Sequence, residues 1–202
     1  MADTPSSPVE SSECETGRTA VERALSLIAL FHEEQPAFTD FLLGVQEVAA
    51  SAVPEPYAGL LAHHSHMTVT MERFHGGPVN LRVVAERGGP ADPAEHLYAR
   101  EILLANGDGK IVQYGIVRID LSPLPSESRD AILRKGEPLG RILIASGVHR
   151  DVQAVELVQL TPGPAFASLL EAAGPTYGRV AEIQLNGRPA VELLEVVPSF
   201  AG

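Results

Sequence analysis

The stretch LYAREILLAN, from Leu97 to Asn106, decides how this chain is read, because it sets an arginine in the middle of an apolar run. Taken as a strand, it sends alternate side chains to opposite faces: Tyr98, Arg100, Ile102 and Leu104 share one face, and Leu97, Ala99, Glu101 and Leu103 the other. Arg100 then lies in an apolar row. A guanidinium buried there needs an anionic partner, since it keeps its proton and an unpaired buried charge is strongly unfavourable. Two readings are open. In the plainer one, this is an edge strand whose Arg100 reaches solvent or closes a structural ion pair. In the sharper one, Arg100 belongs to a binding site for a small carboxylate.

A second charge points inward on another predicted strand. In PAVELLEVVP, from Pro189 to Pro198, alternation aligns Glu195 with Val191, Leu193 and Val197, and puts Glu192 on the opposite face with Ala190, Leu194 and Val196. Glu195 and Arg100 either pair with each other or are kept apart around a ligand.

At 202 residues and 45% hydrophobic content, the chain suits one domain with a sizeable core. A formal charge of -11 and a pI near 5.0 count against nucleic acid or an anionic membrane as a main partner, since both are held by Lys and Arg patches. A small anion can still bind where local cations overcome that field, which returns attention to Arg100. Cys14 is the only cysteine, so no internal disulfide is expected and a reducing compartment fits. The opening MADTPSSPVESSECETG is polar and acidic, and the longest apolar pattern, Ala20 to Phe31, carries Glu22 and Arg23. Neither a secretory signal nor a membrane span is expected, and the expected compartment is the cytoplasm.

Residues 1–17, rich in Ser, Pro and Glu, are expected to be disordered, 18–56 to form an N-terminal helical extension, and 57–202 to form the main domain. Thr19 caps a predicted helix from Ala20 to Glu33 with Val21, Ala24, Leu25, Ile28 and Phe31 as its apolar stripe. A second amphipathic segment runs from Phe41 to Val53, and Tyr57 to His63 suggest a short turn of helix. Met67 to Phe74 fits strand alternation and helical spacing alike. Strands are expected at Val79 to Glu86, around Arg100, at Lys110 to Asp120, Val152 to Leu160, Tyr177 to Leu185 and around Glu195. NGDG (Asn106 to Gly109) and Asn186-Gly187 read as hairpin turns. Further helices are expected from Ser126 to Lys135, Pro138 to Ser146 and Ala165 to Ala173. Strands joined mostly by tight turns pair antiparallel, so the fold class is α+β: a single antiparallel sheet of about six or seven strands with flanking helices covering one side.

His63, His64, His66 and His75 invite a metal reading, but the H-H-x-H spacing matches no closed site and no CxxC accompanies it. Solvated or capping roles are expected for them and no metal; His66, beside Met67, is the one nearest a candidate site. GxSxG, P-loop and Rossmann patterns do not occur, so no cofactor is expected. Any chemistry must come from positioning, electrostatics and a carboxylate acting as acid or base.

At these residues the chain resembles the chorismate pyruvate-lyase family, in its divergent branch of 4-hydroxybenzoate-forming lyases outside the ubiquinone pathway. The resemblance spans about Leu60 to Pro198. A Met-Thr pair opens the domain at Met67-Thr68, and the Arg-Glu-Ile-Leu-Leu strand stands at Arg100 to Leu104 with its turn after it. Pro138-Leu139-Gly140 and the Gly187-Arg188-Pro189 turn leading to Glu195 complete the pattern. Each motif is weak alone; their order, and the two charges among them, make the match more specific.

The resemblance implies an antiparallel sheet with a ligand sealed beneath helical flaps and no metal or organic cofactor. It further implies that Arg100 grips a ring carboxylate, that Met67 and Leu139 supply walls and backbone contacts, and that Glu195 meets the ring 4-hydroxyl. The ligand would be a small aromatic or cyclohexadiene carboxylate, and the reaction the conversion of chorismate to 4-hydroxybenzoate and pyruvate, a carbon-oxygen lyase activity. Effector domains of some transcription regulators share this fold, so a non-catalytic aromatic-acid-binding module is the alternative. Ala20 to Val53 contains Arg23 as its only Lys or Arg and so lacks a basic recognition helix. A third reading is an enzyme of specialised metabolism reusing the pocket. The first 55 or so residues, the HHSHM run and the FHGG segment have no counterpart in the compact ubiquinone-pathway enzymes. The extra helices would cap the pocket or form the interface of a homo-oligomer.

Overall fold

Two short turns set up the sheet. The side chain of Asn106 accepts hydrogen bonds from the backbone N–H groups of Asp108 and Lys110, at 3.1 and 3.0 Å, and Gly109 takes a φ of +82°. A residue with a Cβ is strained at that φ, so the glycine lets the chain reverse tightly between β3 (Leu97–Ala105) and β4 (Ile111–Asp120). Asn186 and Gly187, both at positive φ, reverse β6 (Thr176–Leu185) into β7 (Arg188–Val197) in the same way. In the computed structural model, which describes residues 18–33, 37–89, 96–172 and 174–200, these hairpins lie side by side in one seven-stranded sheet. With β1 (Leu42–Val48), β2 (Asn80–Gly88) and β5 (Arg150–Pro162), the strand order is β1-β5-β6-β7-β4-β3-β2, and each neighbouring pair is antiparallel. The fold is therefore the α+β sheet with flanking helices that the turns imply.

The helices lie on both sides of that sheet, where the strand patterns had suggested one. On one face Leu103, Tyr114, Ile116, Val180, Leu194 and Val196 pack against α1 (Ala20–His32), α2 (Ala37–Phe41) and α7 (Pro164–Leu170). On the other, Val117, Ile119, Ile183 and Leu193 lie beneath α5 (Ser126–Leu133) and α6 (Leu139–Ala145). Farther along that second face, Ile102, Leu104 and Val197 lie beneath α3 (Tyr57–Leu61) and α4 (Met67–His75). The cause is visible in the central strands: REILL and VQYGIV are buried at successive positions, and a sheet that is apolar on both faces needs cover on both.

The N-terminal region departs further from expectation. Thr19 does cap α1, in a reciprocal arrangement with Glu22, but the fully buried stripe is Ala20, Ala24, Leu27 and Ile28. Burial of Leu27 and Ile28 alone stabilises the docked helix by about 3 to 6 kcal/mol. The segment expected as a second helix from Phe41 to Val53 is instead the edge strand β1, paired with β5, preceded by the five-residue α2. Region 18–56 is thus part helix and part sheet. The ambiguous Met67 to Phe74 stretch is helical, within α4. Residues 1–17, including Cys14 and the expected disordered tail, lie outside the described residues. Among the described residues, no helix is long and apolar enough to cross a membrane.

Candidate functional site

The face beneath α4 and α6 holds a small enclosed space. Ile102, Val117, Leu193, Gln113, Arg179 and Glu195 form its floor, and His66, Met67, Thr68, Pro138, Leu139 and Gly140 close it from above. α4 starts at Met67 after the extended His66, and α6 starts at Leu139 after Pro138. A Cβ on Gly140 would stand 3.1 Å from Thr68 Oγ1, so the bare backbone there lets the two helix starts meet over the sheet. Met67 and Leu139 are both buried. In the floor, Gly115 pairs with Ile102 on one side and Glu195 on the other, and its missing side chain lets Ile102 lean over it: a Cβ there would stand 3.2 Å from Ile102 Cγ1. A sphere the size of water finds only about 30 Å³ for its centre, so the space as it stands is too small for a ring.

Glu195 is anchored from two directions. One carboxylate oxygen accepts from Arg179 Nε at 2.8 Å and the other from Gln113 Nε2 at 3.2 Å. Each oxygen keeps a free lone pair, so the group can accept a further hydrogen bond from a ring hydroxyl. Arg179, 1% exposed, also donates through Nη1 to the carbonyl of His63 at 2.7 Å and through Nη2 to the carbonyl of Ser65 at 3.1 Å, and Nη1 lies 3.2 Å from His63 Nδ1. It thereby ties the His63–His66 segment to the sheet. Burial, and then the Arg179 charge, hold the His63 imidazole below its ordinary value; burial, and then Arg150, do the same for His66.

Arg100 has no such anchor. Its side chain is 0% exposed, and Nε, Nη1 and Nη2 are all without a hydrogen-bond partner among the described residues. Burial pushes the guanidinium below its ordinary value, with the Tyr98 hydroxyl opposing, yet an arginine keeps its proton in such a setting. Arg100 stands one row from Glu195 on the same face. Its cross-strand neighbour Val117 and its strand neighbour Ile102 form the wall of the space, while Arg100 lies just beyond the lining.

No family model and no curated protein matches this sequence. Among solved structures, the chain is similar to the effector domain of PhnF from Mycobacterium smegmatis, at 14% identity and a TM-score of 0.49, over 67% of this chain and 89% of that one. It is also similar to a transcriptional regulator of the GntR family from Enterococcus faecalis V583, at 13% identity and a TM-score of 0.42, over 60% of this chain and 96% of that one.

Of the residues singled out in the sequence, Met67, Leu139 and Glu195 meet around the space, and Arg100 adjoins it. Arg100 and Glu195 do not pair with each other. Glu101 and Glu192 face away, as strand parity requires: Glu101 accepts from Tyr114 Oη at 2.7 Å beneath α1, and Glu192 pairs with Arg18 and Arg118. Sequence reasoning missed Arg179 and Gln113. Both were within reach of the parity argument applied to Arg100, since Arg179 alternates with Ala181, Ile183 and Leu185, and Gln113 with Gly115 and Val117.

Proposed function

We propose that this chain is a binding module for a small carboxylate bearing an aromatic or cyclohexadiene ring, held against the sheet beneath α4 and α6. Arg100 carries the reading. Three of the seven buried side-chain polar atoms that lack a partner among the described residues are its nitrogens. A carboxylate that accepts two of them side by side meets that demand with matched geometry and opposite charge. Across the floor, Glu195 and the unpartnered Gln113 Oε1 supply acceptors for a hydroxyl on the ring.

A second reading is a cofactor-independent chorismate pyruvate-lyase, releasing pyruvate and 4-hydroxybenzoate. It is favoured by the carboxylate of Glu195 inside the same space and by the order of the four motifs. It ranks second because Glu195 is already held by Arg179, which favours its acting as a fixed acceptor over its giving up a proton. Calorimetric titration with 4-hydroxybenzoate and a pyruvate-release assay with chorismate separate the two. We expect binding that weakens at least about 30-fold in Arg100→Met, the scale for removing one partner of a buried charge pair, and no pyruvate. Pyruvate release that depends on Glu195 would establish the lyase. Failure of the wild type to bind 4-hydroxybenzoate or turn over chorismate would remove both readings.

A further inference from the structure

A second small cavity lies at the far end of α4. Met67, at the start of that helix, closes the space over the sheet, whereas His75, its last residue, lines a separate cavity with Lys110, Val112, Val197, Ser199 and Phe200. The two ends are about 12 Å apart along the helix axis. We propose that this second cavity binds a small monoanion, a carboxylate the size of formate or acetate, through His75, Ser199 and Lys110. The assignment does not depend on the ring-binding reading above.

Seven buried side-chain polar atoms lack a hydrogen-bond partner among the described residues. Five of them, on Arg100, Gln113 and His63, lie in or beside the space beneath α4 and α6. The other two are His75 Nε2 and Ser199 Oγ, and both residues line the second cavity. They come from distant parts of the chain, His75 from the FHGG segment and Ser199 from the residues that follow β7. A buried polar group left unmatched is unfavourable, and an occupant with two acceptor atoms side by side answers both. The imidazole can carry its proton on Nε2, and the serine hydroxyl can rotate to donate.

Both side chains are held in place. Gly76 takes a φ of +70° and ends α4 just beyond His75, and the Phe74 ring stands edge-on to the imidazole with centroids 5.0 Å apart. Phe74 also meets Phe200 edge-on at 5.7 Å, and the Phe200 N–H donates to Tyr57 Oη at 2.9 Å, which fixes the segment that carries Ser199.

Lys110 gives the cavity its sign. No lining residue is acidic, and the ammonium is close enough that, after burial, its charge is what holds the His75 imidazole below its ordinary value. An ammonium, an imidazole and a hydroxyl can all donate to an anion, and no carboxylate is there to hold a cation. The remaining wall is apolar and suits a hydrogen or a methyl group on the carboxylate. A sphere the size of water finds about 30 Å³ for its centre, more than one water needs and too little for a ring.

The test follows the His75 imidazole by NMR in the whole protein, at fixed pH and ionic strength, with the resonance identified by its loss in His75→Gln. Sodium formate and sodium acetate are titrated in parallel with sodium benzoate. We expect a saturable shift at His75 with formate and acetate and none with benzoate. Ser199→Ala should weaken formate binding about tenfold, the scale of a hydrogen bond to a charged group, and Lys110→Gln about threefold, the scale of an exposed charge. Lys110→Arg should bind formate as wild type does. Lys110 is exposed and Ser199→Ala removes an unmatched hydroxyl, so neither position is needed for folding. If neither formate nor acetate shifts His75, the cavity holds water alone and the proposal is overturned. A benzoate shift at His75 equal to that of formate, or a formate response unchanged in both Ser199→Ala and Lys110→Gln, would overturn it as well, since the anion would then act from outside the cavity.

Discussion

A guanidinium that is fully buried and unpaired destabilises the fold that contains it, so replacing Arg100 by an uncharged side chain of similar reach should not weaken the ligand-free protein. Arg100→Met should unfold in urea at or above the wild-type midpoint, and 4-hydroxybenzoate should raise the midpoint of wild type alone. A midpoint well below wild type without ligand would instead mean that Arg100 closes a structural ion pair. Glu195 behaves oppositely. Glu195→Gln leaves Arg179 buried without its carboxylate and should cost about 3 kcal/mol, whereas Glu192→Gln, on the partly exposed other face, should cost about 1 kcal/mol or less. Equilibrium unfolding of the two variants reads this directly, and equal losses would contradict the assignment of faces. Much of this was legible beforehand, because alternation along β3 and β7 alone places both charges on the correct face. The identity of Glu195's partner was not, since pairing across strands depends on which strand neighbours which: β6, with Arg179, lies beside β7, while β3 lies two strands away.

At the scale of elements, α1 and β1 are part of the sheet's own construction. His32, at the end of α1, lies 2.8 Å from the buried carboxylate of Glu101, which also receives the Tyr114 hydroxyl, and its ring stacks on Phe41 with centroids 3.7 Å apart. β1 covers what would otherwise be the open edge of β5. Removal of residues 1–56 should therefore expose an apolar sheet face and an unpaired strand edge together, giving aggregates by size-exclusion chromatography. A soluble, ligand-binding truncation would show these elements to be dispensable. Sequence periodicity misreads this region for a physical reason. FLLGVQEV is short, and as an edge strand it has too weak an alternation to distinguish it from an amphipathic helix; its pairing with a strand more than a hundred residues away settles the matter.

For the molecule as a whole, burial sets the pH range of stability. His63, His66 and His75 are all held below 6.5, mainly by burial, so the unfolded chain takes up protons that the folded chain refuses as the pH drops. Stability is present above 6.5 and is lost as the pH falls through the lower folded values. At the alkaline end Tyr98 is pushed up to about 12 by burial and by Glu86, so the unfolded tyrosine releases its proton first, from about pH 10 upward, and stability declines there too. Urea unfolding midpoints at pH 5.5, 8 and 10.5 should be highest at the middle value, and Tyr98→Phe should flatten the alkaline limb. Arg100 and Glu101 also bear on how the sheet assembles. They are neighbours in sequence, opposite in charge and buried on opposite faces of β3. A slip of β3 by one residue would drive the cation under α1 toward His32 and drop the anion into the apolar wall beside Val117. Glu101 would lose the Tyr114 hydroxyl and the His32 ring in the same step that carries Arg100 to the other face, so the buried carboxylate disfavours the misaligned register.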